Sequence, residues 1–142
     1  MSASIALAVT PEEIAACFDV MRELRPHLTP EEFARRVKVQ MEEGYHLARL
    51  ESGGKVRAVT GFRIQHNLVW GRFLYVDDLV TTAEDRSKGH GQALFAWLIE
   101  RAKSEGCEEL HLDSGVQRFP AHRFYLAERM DIVAHHFGIR LR

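Results

Sequence analysis

The sequence predicts a single α/β (α+β) domain spanning residues 1–142. Its expected core is a mixed, mostly antiparallel central sheet with helices on both faces, in the order β-α-α-β-β-β-α-β-α-β. Three observations carry that expectation. A short apolar run is followed by two Thr-Pro-Glu-Glu tetrads, each opening a stretch of helical periodicity. From Tyr45 onward the period shortens to strand-sized runs separated by turn residues. At Asp85–Phe95 a strand-like run hands over to a helix-like one, with Gly89 and Gly91 at the handover. A chain of 142 residues, 46% hydrophobic and 27% charged, is long enough to bury one sizeable core.

In chain order, Ile5–Val9 is the first strand. Thr10 then caps a helix with Pro11 in its first turn and Glu13 placed to reach back to the cap, and Ile14, Cys17, Phe18, Met21 and Leu24 share one face until Pro26. Thr29-Pro30-Glu31-Glu32 opens a second helix, with Phe33, Val37 and Met41 four apart and Gly44 as its stop. The two tetrads are two caps rather than an internal repeat, because nothing around them recurs. His46–Glu51, Val56–Gln65 and Arg72–Thr82, joined at Ser52–Lys55 and His66–Gly71, form an antiparallel meander. Gln92–Glu105 is the strongest helix, with Leu94, Trp97, Leu98, Arg101 and Ala102 at helical spacing before Gly106. Glu109–Asp113 is a strand reached by a right-handed parallel crossover, Gln117–Arg129 a helix that tolerates Pro120 in its first turn, and Ile132–Leu141 one or two final strands.

Composition removes several classes of function. Nineteen basic against twenty acidic residues leave a formal charge of -1, which argues against a nucleic-acid partner. Cys17 and Cys107 are too few and too far apart for a disulfide framework or a metal knuckle, which suits a reducing compartment and no metal. The first residues lack a basic, long-apolar leader and no later run reaches spanning length, so the expected location is cytoplasmic, without a membrane partner.

The glycine turn is where the chemistry starts. Glycines at a helix start let the backbone approach a ligand, the first helical N–H groups face outward, and Arg86 and Lys88 add positive charge, so an anion such as pyrophosphate is the natural ligand. Two familiar phosphate loops do not fit. A dinucleotide fingerprint needs a third glycine where Leu94 stands, and a Walker loop needs Lys-Ser/Thr where Gln92-Ala93 stand. A glycine-rich helix start with no ligand is the bland alternative.

Arg86-Ser87-Lys88-Gly89-His90-Gly91 resembles the R/Q-x-x-G-x-G/A signature of the GNAT-type N-acetyltransferases, and Ala121-His122-Arg123-Phe124-Tyr125 resembles their later A-x-x-x-Y helix motif. The likeness covers nearly the whole chain, including its order of elements. It implies a GNAT fold and transfer of an acetyl group from acetyl-CoA to a primary amine, on a small molecule or a protein, by direct attack on the thioester. By that resemblance, backbone amides within Ser87, Lys88, Gly89, His90, Gly91 and Gln92, beside the charge of Arg86, hold the coenzyme A pyrophosphate, and Leu79, Val80 and Thr81 pair with the pantetheine arm like an added strand. Tyr125 matches the family's proton donor to coenzyme A sulfur. It also implies an acceptor wall at Arg22–His27 and a homodimer through the C-terminal strands.

The reaction has needs of its own. A lysine-like amine with a pKa near about 10.4 is protonated in all but roughly one molecule in a thousand at neutral pH, so a group must take its proton. Strand alternation puts Tyr75, Asp77, Leu79 and Thr81 on one face and Asp78 and Val80 on the other, and the family places its base on the face of Asp77. Asp77 therefore ranks above Asp78 as base or amine-binding carboxylate, Tyr75 is a nearby polar group, and strand amides near Leu79 or Val80 meet the oxyanion. A solvated edge-strand pair is the competing explanation of Asp77-Asp78.

Three departures from the family pattern stand out. Arg118 replaces an Asn that contacts coenzyme A and offers a phosphate contact instead, Arg129-Met130 replaces Gly-Phe, and Ala83 replaces a Pro. His135 and His136 fall on opposite strand faces and chelate nothing together, while His111 and Asp113 read as a cross-strand pair. A non-catalytic acyl-CoA-binding regulatory domain is the alternative function, and a phosphate-ligand module unrelated to coenzyme A is a third.

Overall fold

The computed structural model describes residues 3–142. Its elements are β1 (Ser4–Leu7), α1 (Pro11–Ala15), α2 (Phe18–Leu24), α3 (Pro30–Glu42), β2 (Tyr45–Ser52), β3 (Lys55–Asn67), β4 (Gly71–Thr81), a 3-10 turn (Ala83–Lys88), α4 (His90–Ser104), β5 (Glu109–Leu112) and α5 (Phe119–Ala127). The chain divides into two compact units, Met1–His111 and Leu112–Arg142. The strands form one mixed five-stranded sheet in the order β1-β2-β3-β4-β5, of the α+β class expected.

Within the first unit the sheet is covered on both faces. On one, Ile14, Phe18, Met21, Phe33 and Val37 of α1–α3 bury against Tyr45, Leu47, Val59 and Val80. On the other, Leu94 of α4 meets Leu50 and Ala58, and Phe62 lies edge-on to Trp97. Fully burying one such Leu or Phe stabilises the fold by about 1.5–3 kcal/mol, which makes these two layers its main support.

Both predicted helix caps are present. Glu13 N donates to Thr10 Oγ1 at 3.2 Å while Thr10 N donates to Glu13 Oε1 at 2.9 Å, and Glu32 N donates to Thr29 Oγ1 at 3.1 Å. The single helix expected from Thr10 to Pro26 is instead two, α1 and α2. At the break the Cys17 thiol donates to the Glu13 carbonyl at 3.4 Å and the Cys17 amide donates to Ile14 O at 3.0 Å, one residue short of the α-helical partner.

The second unit corrects the end of the expected order. No strand is present in residues 130–142, where Ile132–Leu141 were expected to supply one or two, and Ile132, Val133, Phe137, Ile139 and Leu141 are exposed. Alternation is only a propensity. A strand exists where its N–H and C=O groups find a ladder, and this segment has none. The dimer expected through C-terminal strands therefore has no strand pair behind it in the single chain. His135 and His136 are likewise not on a strand, and His136 Nδ1 lies 3.4 Å from Asp113 Oδ1. β5 stops before Asp113, so His111 and Asp113 do not share a strand face as expected. His111 stacks on Trp70 at 3.5 Å and bonds Glu109 Oε1 at 2.6 Å.

Candidate active site

The β3–β4 ladder contains the irregularity that shapes the site. Gly61 pairs with Asp78 and the next residue, Phe62, pairs with Val76, so Asp77 is an extra residue bulged out of β4. The bulge overturns the simple alternation expected for this strand. Asp77 and Asp78 do not point to opposite faces; both line one cavity of about 320 Å³ on the α2–α3 side, while Leu79 packs on the opposite face with α4. The cavity floor is apolar, from Met21, Leu28, Phe33 and Val37, and its polar lining is Arg25, His27, Arg36, Gln40, Tyr45 and the two carboxylates.

The two carboxylates are held differently. Asp78 is fully engaged: Arg25 Nε donates to Oδ1 at 3.0 Å, Tyr45 Oη donates to Oδ2 at 2.8 Å, and Thr60 Oγ1 donates to its backbone oxygen at 2.7 Å. Asp77 receives Arg63 Nε on Oδ2 at 3.0 Å, and among the described residues no hydrogen bond reaches Oδ1. Burial pushes the Asp77 carboxyl above its ordinary value, with the Arg63 charge and hydrogen bond opposing. Tyr45 is buried and its phenol is pushed well up, first by desolvation and then by the Asp78 charge, so it stays a donor. Arg25 also donates through Nη2 to Asp77 O at 3.0 Å, which ties the end of α2 to the bulge.

Sequence reasoning ranked Asp77 above Asp78 and named the Arg22–His27 stretch, from which Arg25 and His27 enter the cavity. It missed Tyr45, Arg63 and Arg36. The one available signal was Gly61, since a glycine inside a strand marks a close approach of some other group. Here that group is the Tyr45 ring: a Cβ on Gly61 would sit 1.7 Å from Tyr45 Oη.

Leu79, Val80 and Thr81 form the end of β4. β5 begins beside Arg72, where Glu108 N donates to Arg72 O at 2.7 Å, and it has only four residues. At about 3.3 Å per residue it is too short to flank Leu79–Thr81, some seven residues further along β4. The outer edge there is of the kind an extended ligand can pair with.

Beyond it, the glycine turn is a structured loop. Asp85 is buried, 3% exposed, and anchors the 3-10 turn: Thr82 Oγ1 donates to it at 2.6 Å, and Arg57 and Lys88 each approach it to 3.3 Å. The Thr82 hydrogen bond, with these cations, lowers the Asp85 carboxyl below its ordinary value. Arg86, Ser87, Lys88 and Gly89 are exposed; Arg86 pairs only loosely with Glu23, at 3.9 Å. Gly89, at φ +80, closes this turn and opens α4, a backbone that suits glycine alone without strain. The predicted helix start at Gln92 moves to His90, so His90, Gly91 and Gln92 form the first turn of α4. No side chain caps that turn, and His90 Nδ1 is buried without a partner. An uncapped helix start beside two cations and an orphaned donor or acceptor fits a phosphate-bearing ligand.

Tyr125 and Arg118 belong to the second unit. Burial raises the Tyr125 phenol, while a hydrogen bond from Arg118 and its charge oppose that shift. Among the described residues no group of three or more His, Cys, Asp or Glu is placed to hold a metal ion, and no helix is long and apolar enough to cross a membrane.

The family model for the Acetyltransferase (GNAT) family matches residues 11–130. The chain belongs to the GNAT acetyltransferase family. A Bacillus subtilis protein described as the uncharacterized N-acetyltransferase YhdJ is 37% identical over 115 residues, 80% of this chain and 81% of its own. The aminoalkylphosphonate N-acetyltransferase of Salmonella typhimurium is 28% identical over 89 residues, 62% of this chain and 58% of its own. The aminoglycoside N-acetyltransferase AAC(6')-Iy, solved with a bisubstrate analogue, has the same fold, with a TM-score of 0.85 at 14% identity over 100% of this chain and 99% of that one. This GNAT protein is thus an acetyltransferase enzyme of a family that in general depends on acetyl-CoA.

Proposed function

We propose that this GNAT enzyme moves an acetyl group from acetyl-CoA to a primary amine by direct attack on the thioester, with no covalent enzyme intermediate. The observation that carries the reading is the bulge, which presents Asp77 to a cavity with one carboxylate oxygen unbonded among the described residues. Acetyl-CoA supplies the activated acyl carbon. The acceptor binds as an ammonium beside Asp77 Oδ1 and gives up one proton to solvent, so that the uncharged amine attacks; Asp77 takes the second proton, which becomes acidic as the nitrogen bonds to carbon, so the carboxylate need not match the free amine's basicity. Arg25 and Arg63 nearby favour the uncharged amine that attacks. Asp78, bonded by both Arg25 and Tyr45, positions the bulge rather than exchanging protons.

Strand amides near Leu79 or Val80 meet the negative charge that develops on the acyl oxygen. As the nitrogen–carbon bond replaces the carbon–sulfur bond, Tyr125 gives its proton to the departing sulfur; its raised pKa keeps it protonated at neutral pH, and its place in the motif supports the role. The amides of Ser87–Gln92, with Arg86 and Lys88, hold the pyrophosphate, Leu79–Thr81 pair with pantetheine, and Arg118 adds a phosphate contact. The Salmonella relative's aminoalkylphosphonates are consistent with a small amine as acceptor.

The test is release of free thiol from acetyl-CoA across a panel of amines. Asp77→Asn is expected to lower kcat by about 10²–10⁴, the usual contribution of a general base, and Tyr125→Phe to lower kcat while acetyl-CoA still binds. Binding of acetyl-CoA without turnover of any amine, and without effect of either substitution, would promote the regulatory acyl-CoA-binding domain instead.

A further inference from the structure

The charges around the cavity constrain what can be acetylated, granted the acetyl-transfer reading above. Its charged lining is Arg25, Arg36, Asp77 and Asp78, with His27 and Tyr45 as the remaining titratable groups. Each carboxylate already has its own arginine: Asp78 meets Arg25 at 2.9 Å, and Asp77 meets Arg63 at 3.0 Å. Arg36 is left over. Among the described residues it forms an ion pair with Glu32 alone, one helical turn back at 3.9 Å, and both side chains are about half exposed, a pair of little strength that an incoming anion can displace.

An ammonium entering this cavity therefore adds positive charge to a site that holds none of the surplus negative charge a polycation needs. We propose that the acceptor is a small amine that also carries an anionic group, a phosphonate, phosphate or carboxylate. Its ammonium meets Asp77 Oδ1 on the sheet wall, and its anion meets Arg36 on the α3 wall, with His27 and the unused donors of Arg25 beside it. A planar guanidinium recognises such oxyanions through paired N–H donors, and the same charges repel diamines and aminoglycosides. The cavity is at the small end of ligand pockets, which suits a compact zwitterion.

The experiment compares kcat/KM at saturating acetyl-CoA for 3-aminopropylphosphonate, 3-methoxypropylamine and cadaverine, in the wild type and in Arg36→Gln. The phosphonate is expected to exceed both others by at least about tenfold, the size of one charge-assisted contact. Arg36→Gln is expected to narrow that ratio at least about fivefold, mainly through KM for the phosphonate. Lys38→Gln, on an exposed part of α3 outside the cavity, leaves the ratio as it was. Equal or better use of cadaverine, or an Arg36→Gln variant that loses all acceptors in proportion, overturns the proposal while acetyl transfer stands. No turnover of any amine, with acetyl-CoA still protecting the protein from thermal unfolding, overturns the acetyl-transfer reading and this proposal together.

Discussion

Replacing Gly61 with alanine drives a methyl group into the ring of Tyr45. The added Cβ would lie 1.7 Å from Tyr45 Oη, 2.2 Å from Cζ and 2.5 Å from Cε1. Carbon contacts are comfortable at about 3.5–4.0 Å, so the ring has to withdraw by roughly 1.5–2 Å. Tyr45 is only 3% exposed and cannot retreat without giving up its 2.8 Å bond to Asp78. Overpacking costs about 1–3 kcal/mol and a lost hydrogen bond to a charged group about 1.5–3, which together make about 3 kcal/mol a reasonable expectation. In urea that lowers the unfolding midpoint by about 1–2 M at unchanged slope. The decisive comparison repeats Gly61→Ala in a Tyr45→Leu background, where the ring atoms in question are gone. There the alanine should cost nothing or stabilise slightly, since glycine is a poor strand residue by about 0.5–1 kcal/mol. A Gly61→Ala cost below about 0.5 kcal/mol in the wild type, or an equal cost in both backgrounds, would refute the account of how the site wall is built.

Two further outcomes are expected. Asp85→Asn keeps the shape of the anchor beneath the glycine turn but releases the hold on Lys88 and Arg57, so KM for acetyl-CoA should rise by about an order of magnitude through lost positioning, with kcat little changed; a KM within error of wild type would show that the loop does not depend on Asp85. Glu13 has its carboxyl lowered from 4.5 to about 2, chiefly by backbone hydrogen bonds from Thr10 and Val9. A carboxyl lowered by folding contributes stability that is fully present above its unfolded value and is lost as pH falls from 4.5 through about 2. Chemical unfolding at pH 5 and at pH 2 should therefore show a smaller acid-induced loss in Glu13→Gln than in wild type, and parallel losses would contradict the assignment.

How much of the site could be read in advance follows from how far each interaction reaches along the chain. The helix starts at Thr10 and Thr29 and the glycine turn at Gly89 are local: cap, proline and glutamate lie within four residues in each tetrad, Gly89 stands at the junction it makes, and their geometry follows from backbone chemistry. The rest of the site depends on distant residues. Arg25 reaches Asp78 across 53 positions and Tyr45 reaches it across 33. No periodicity encodes such pairs.

By itself the sequence determined the class of fold, both helix caps, and the glycine turn and its family, because each rests on short-range pattern or on a motif of fixed spacing. Tertiary structure alone decided that Asp77 and Asp78 share one wall. That depends on a bulge in the ladder with β3, where Gly61 makes room for the Tyr45 ring that fastens Asp78. It also decided that the alternating C-terminal residues form no strand, since a strand needs a partner's backbone as well as its own pattern.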